Sequence, residues 1–117
     1  YPLRRQRQMC IRDRTLPFMV CGARGLVSVA SNIMPQTMSR LVSLCLAGNF
    51  TEAADLHRAF YPLMRQLMSL DVNPVPIKTA AALLGHCSDE MRLPLAGLSA
   101  AARASLEEIL AAYPNLA

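Results

Sequence analysis

The sequence predicts an α/β chain in which one short strand, of the kind buried inside a parallel sheet, is followed by helices alone. Three observations on its 117 residues carry that reading. Apolar residues make up 53% and charged residues only 17%, which is too greasy for a disordered chain and implies a packed core. Aromatics are 5% and tryptophan is absent, so Ala, Leu, Met and Val carry the hydrophobicity, a palette of packed helices rather than of an aromatic-rich sandwich. Finally, GLVSVASN at residues 25–32 lacks polar alternation and reads as covered on both faces, whereas the stretches after it repeat their apolar residues at helical spacing.

The basic character sits at the start. Arg4, Arg5, Arg7, Arg12 and Arg14 face only Asp13 and account for the formal net charge of +4, while from Thr15 onward seven basic and seven acidic residues balance. Residues 1–14, YPLRRQRQMCIRDR, show neither helical period nor strand alternation. A disordered basic arm and sequence foreign to the domain both fit; the composition, unlike anything downstream, favours a foreign segment such as translated adapter read-through. No long apolar core follows the arginines, so a secretory signal is not expected. No run reaches the ~18 apolar residues of a membrane span.

Residues 15–21 suit the last turns of a helix stopped by Gly22. Residues 25–30 are the expected strand, with Leu26, Val27 and Val29 as its β-branched and apolar core and Ser28 and Ala30 filling between them. Such a strand needs a strand on each side, and this sequence offers none, so poor solubility or dependence on a partner follows. Pro35 fits the first turn of a helix over residues 35–47, whose stripe is Met38, Leu41, Val42, Cys45 and Leu46, with Gly48 as its stop.

Asn49 and Glu52 form a capping box for the next helix. Ala53, Leu56, Phe60, Leu63, Met64 and Leu67 mark its inner face, and Pro62 within it predicts a kink rather than an end, because the period survives the missing amide. Asn73 is expected to cap a further helix with Pro74 at its first position, Ile77, Ala80, Ala81 and Leu84 inward, and Gly85 as the stop. A loop over residues 86–98 leads to Ser99, the cap of a last helix with Leu106, Ile109, Leu110 and Tyr113 inside.

Cys10, Cys21, Cys45 and Cys87 contain no CxxC pair, and Cys45 falls on an apolar helical stripe. Buried or partly buried thiols in a reducing cytoplasm are the expectation; disulfides and metal ligation stay as lesser alternatives. His57 and His86 have no Asp, Glu or Cys at ligand spacing, so they read as ordinary rim or surface histidines. Tyr61 and Tyr113 read as packing residues. Gly25 lies in no GxGxxG or Walker pattern and reads as a close-packing glycine at the strand start.

GARGLVSVASNIMP, LAGNFTEAADLHRAFYPLM, NPVPIKTAAALLG and MRLPLAGLS, in this order and spacing, resemble the dihydrodipicolinate synthase family, also called the 4-hydroxy-tetrahydrodipicolinate synthase family. The resemblance runs from about Thr15 to the end. It implies the C-terminal fragment of an aldolase-type (β/α)8 TIM barrel: residues 15–48 as the end of the barrel, with its last strand at 25–30 and last helix at 35–47, and residues 49–117 as a helical C-terminal extension of three helices.

The resemblance further implies a lyase that joins pyruvate to aspartate semialdehyde through a lysine Schiff base, in lysine and diaminopimelate biosynthesis, with no metal and no diffusible cofactor. It implies a cytoplasmic homotetramer when complete, with no nucleic-acid or membrane partner. The imine lysine, the proton-relaying tyrosine, the hydroxyl network and the substrate arginine of the family match no residue here, so no catalytic residue is expected in this chain and the fragment is expected to be inactive. Lys78, the sole lysine, matches the lysine of the NPxPxK segment in the extension and reads as a surface or subunit-contact residue. Val27 matches a pyruvate-contacting aliphatic position, the one substrate-binding candidate; in an incomplete sheet it is equally a plain core valine. Two other readings stay open: a related pyruvate-dependent aldolase acting on another aldehyde, such as a sugar acid, and a basic helical interaction module using the arginine segment.

Overall fold

The computed structural model of the chain describes residues 14–116, so the expectation for the arginine-rich start lies, apart from Arg14, outside the described residues. Five α-helices follow one another: α1 Thr15–Val20, α2 Pro35–Leu46, α3 Phe50–Ser69, α4 Val75–Leu83 and α5 Ala100–Ala111. A 3-10 turn at Ala30–Asn32 precedes α2. No strand ladder forms among the described residues; Val27 makes a single isolated β-bridge.

α3 is the central element and packs against α1, α2, α4 and α5. The reason is its sequence: Ala53, Leu63, Met64 and Leu67 are buried, and Leu56 and Phe60 pack half-buried against the same core. Met38, Leu41 and Cys45 of α2, Ile77 and Ala80 of α4, and Leu106 and Leu110 of α5 close around them. Ile33, Met34 and Leu116 join the core from the connecting and terminal segments.

The helix ends are set locally. At the end of α2 the Gly48 amide donates to the Cys45 carbonyl at 3.1 Å and the Asn49 amide to the Leu44 carbonyl at 2.9 Å. This pairing satisfies carbonyls left over by the last turn, and it requires the left-handed backbone that Gly48 adopts at φ 79°. Gly22 and Gly85 end α1 and α4 with the same pair of bonds. Asn49 then caps α3, its Oδ1 accepting from the Glu52 amide at 3.4 Å while its Nδ2 donates to Glu52 Oε2 at 2.9 Å. Arg40 of α2 donates to the same carboxylate at 2.7 Å, fixing the α2–α3 corner. Ser99 Oγ accepts from the Ala102 amide at 3.3 Å and caps α5.

α3 continues through Pro62, which has no amide to offer the Arg58 carbonyl. Beside that gap, Tyr113 donates its hydroxyl to the Ala59 carbonyl at 2.8 Å, and its ring meets Phe60 at 5.4 Å. Gln66 Nε2 donates to Ser105 Oγ at 3.1 Å, tying α3 to α5 directly. Thr79, though buried, is satisfied by donating to the Val75 carbonyl one turn back.

Three expectations need correction. The strand over residues 25–30 is replaced by an extended segment that ends early, since Val29 already has helical dihedrals and Ala30 begins the 3-10 turn. A strand is defined by ladder bonds to neighbours, and among the described residues one isolated bridge at Val27 is all that the segment shows. The cap of α4 is Pro74 rather than Asn73: the Val75 amide closes a turn on the Val72 carbonyl at 2.9 Å, so the first helical acceptor is the Pro74 carbonyl, bound by Lys78 at 3.0 Å. Leu46 and Leu84, expected inward, are 54% and 38% exposed; Leu46 falls at the edge of the stripe, one residue past the buried Cys45, and Leu84 is the cap that follows the last helical residue of α4.

Candidate functional site

The candidate site is the stretch from Gly25 to Asn32 with the flank of α2 beside it. Val27, the expected substrate-contacting residue, is 55% exposed and its side chain is free of the core, whereas Leu26 and Val29 pack half-buried against it. The segment turns sharply after Ser28. Ser31 Oγ donates to the Ser28 carbonyl at 2.5 Å and Asn32 Nδ2 to the Val29 carbonyl at 2.9 Å, so both polar side chains are spent on holding the turn. An open cleft runs along this segment, walled by Leu26, Ser28 and Ser31 on one side and by Met38, Val42 and Ser43 of α2 on the other. It carries no acid, base or nucleophile pair. The arrangement offers a wall of aliphatic side chains mixed with serine hydroxyls and holds no group poised as a general acid or base.

Lys78 lies elsewhere in function. It stands in the first turns of α4, half-buried, and its amine donates to the Glu90 carbonyl in the loop after that helix. His57 is half-buried with its ring 5.8 Å from Tyr61, His86 is exposed, and Tyr113 is committed to α3. Among the described residues no group of three His, Cys, Asp or Glu has the geometry to hold a metal. Cys21, Cys45 and Cys87 are free thiols, with Cys45 buried and the other two exposed; burial pushes the Cys45 thiol above its ordinary pKa. Cys10 lies outside the described residues. No described helix is long and apolar enough to cross a membrane.

One cluster escaped the sequence reading. Arg103 of α5 donates from Nη1 to Asp89 Oδ2 at 2.6 Å and from Nε to Glu107 Oε1 at 3.3 Å. The hydrogen bond from Arg103, helped by its charge, holds the Asp89 carboxyl below the usual carboxylate range. Only the pair Arg103 and Glu107, four apart on one helix, had a sequence signal.

Comparison with known proteins places this architecture. A profile of the dihydrodipicolinate synthetase family matches residues 12–113. The 4-hydroxy-tetrahydrodipicolinate synthase of Trichlorobacter lovleyi is 48% identical over 99 residues, 85% of this chain and 34% of that protein. The crystal structure of dihydrodipicolinate synthase from Aquifex aeolicus is similar with a TM-score of 0.87 at 37% identity, covering 92% of this chain and 36% of the other. A structure described as a monomeric dihydrodipicolinate synthase variant gives a TM-score of 0.85 at 33% identity, covering 92% and 35%. The chain spans about a third of the length of the curated relatives it matches. With a profile running from residue 12 to residue 113 and a relative of this identity over most of its length, the chain belongs to the dihydrodipicolinate synthetase family.

Proposed function

We propose that the chain is the C-terminal part of a 4-hydroxy-tetrahydrodipicolinate synthase, a Schiff-base lyase that condenses pyruvate with aspartate semialdehyde in lysine and diaminopimelate biosynthesis, and that these residues alone do not turn over. In that reaction a lysine amine adds to the pyruvate ketone and water leaves. The resulting iminium accepts the electron pair when a methyl proton is removed, and the enamine attacks the aldehyde carbon. The observation that supports the reading most is family membership together with the setting of the one lysine. An imine-forming lysine works from a desolvated pocket, whereas the Lys78 amine is tied to the Glu90 carbonyl at the surface.

In this reading residues 25–30, which form no strand among the described residues, correspond to the last barrel strand of the complete enzyme, α2 to the last barrel helix, and α3 to α5 to the extension. The lysine, tyrosine, arginine and hydroxyl network belong to earlier strands. Val27 supplies an aliphatic wall against pyruvate, and its exposed side chain leaves that face available to a barrel interior. The complete enzyme is a cytoplasmic homotetramer that uses neither metal nor diffusible cofactor.

Two experiments test this. Borohydride reduction of the chain with pyruvate is expected to leave its mass unchanged; an adduct on Lys78 overturns the assignment of inactivity. Substituting residues 15–117 for the corresponding part of the Trichlorobacter lovleyi enzyme is expected to preserve condensation of pyruvate with aspartate semialdehyde, and Val27→Asp in that chimera to raise the KM for pyruvate. Loss of that activity with gain of turnover on a sugar-acid aldehyde assigns the chain to a related aldolase instead.

A further inference from the structure

We propose that the segment between α4 and α5, residues 86–98, is a strap with a releasable latch, in which Arg103 holds Asp89 when the strap is closed and keeps Glu107 when it opens. This inference is independent of the proposed reaction. The strap is fastened mainly by polar contacts near its start. Asp89 pairs with Arg103 of α5, the Glu90 carbonyl accepts from Lys78 of α4, and Cys87 Sγ lies 3.9 Å from the Lys78 carbonyl. Its far end is held by Leu98, half-buried against the core. Between these points Met91 and Leu95 are half-buried and the Leu95 amide closes a local turn on the Arg92 carbonyl, while Leu93 at the middle is 92% exposed.

The fork of Arg103 gives the latch its two states. Its Nη1 reaches across to the strap and its Nε reaches Glu107 one turn along its own helix. When the Asp89 bond breaks, the guanidinium still has a carboxylate partner and no charge is stranded. Exposed ion pairs contribute little each, so giving up one of the two partners leaves a small free-energy difference between the states. The groups facing Asp89 from the packed elements are Arg103 and Lys78, with Glu107 sharing the same arginine through its Nε. Opening therefore frees the strap without separating α4 from α5, which contact each other directly and bury Ile77, Ala80, Leu106 and Leu110 in the common core.

Hydrogen exchange on the full chain reads this directly, with the core amides of α3 as the internal reference. Asp89→Asn is expected to speed exchange in residues 86–98 by about two- to five-fold while α3 is unchanged. Lys78→Met, which removes the other fastening, is expected to act in the same direction. Glu107→Gln deprives the open state of its partner and is expected to slow strap exchange. Unchanged strap exchange in Asp89→Asn, strap and α3 accelerating together, or faster strap exchange in Glu107→Gln each overturns the latch.

Discussion

Leu63 and Leu93 are the same residue in opposite settings, and truncating each to alanine isolates what burial contributes. Leu63 is 0% exposed at the middle of α3, Leu93 is 92% exposed on the strap. Removing three carbons from a buried leucine costs about 2–5 kcal/mol, the spread reflecting how far the surroundings collapse into the cavity. Around α3 collapse is limited, because α1, α2, α4 and α5 all pack on it and a shift of one toward the void pulls it from the others. Leu63→Ala therefore belongs in the upper half of the range, about 3–5 kcal/mol, and Leu93→Ala within about 0.5 kcal/mol of no effect. Urea unfolding followed by far-ultraviolet circular dichroism measures both. With a slope of about 1–3 kcal/mol per molar urea, Leu63→Ala lowers the midpoint by about 1 M or more, or unfolds the chain in buffer. Equal shifts for the two variants, or a larger one for Leu93→Ala, would refute the placement of α3 at the centre.

Asn49→Ala removes the side-chain acceptor from the Glu52 amide and is expected to lower stability by about 1 kcal/mol in the same unfolding assay. Gly48→Ala is expected to cost about 1–2 kcal/mol from the left-handed backbone alone; nothing lies within 4 Å of an added methyl group, so a much larger loss would contradict the geometry. A thiol reagent with peptide mapping is expected to modify Cys21 and Cys87 in the folded chain and Cys45 only on unfolding. Burial raises the Cys45 pKa, so at neutral pH it holds less reactive thiolate than an ordinary thiol and its labelling gains from raising the pH; early labelling of Cys45 at neutral pH goes against its burial.

What the sequence made legible is what short-range chemistry decides. Asn49 and Glu52, Ser99, and the glycines at 22, 48 and 85 bond to groups within five positions, and all act in the structure as their residue types predict. The stripes of Met38, Leu41 and Cys45 and of Leu63, Met64 and Leu67 are equally local, since helical geometry puts them on one side whatever they pack against. Leu46 at the edge of the α2 stripe and Leu84 at the cap of α4 also fit a helical period but are exposed, because periodicity assigns a side and says nothing of where the packed surface ends. The Asp89 and Arg103 pair joins residues 14 apart through a loop whose path no pattern encodes.

The extended segment at residues 25–28 shows where that limit lies for function. A helix closes its hydrogen bonds within itself, so α2 to α5 can form from this sequence without reference to anything outside it. A strand has donors and acceptors pointing sideways, and its regularity belongs to whatever lies alongside. Leu26, Val27 and Val29 have the side chains of a sheet interior, yet among the described residues Leu26 and Val29 pack against the helical core and no ladder forms. Val27 is left outward and the cleft beside α2 stays open. The same argument links fold to chemistry: a pocket at the end of a barrel strand needs the strand held in register by both neighbours, so the residue proposed to touch pyruvate acquires its position only from companions beside it.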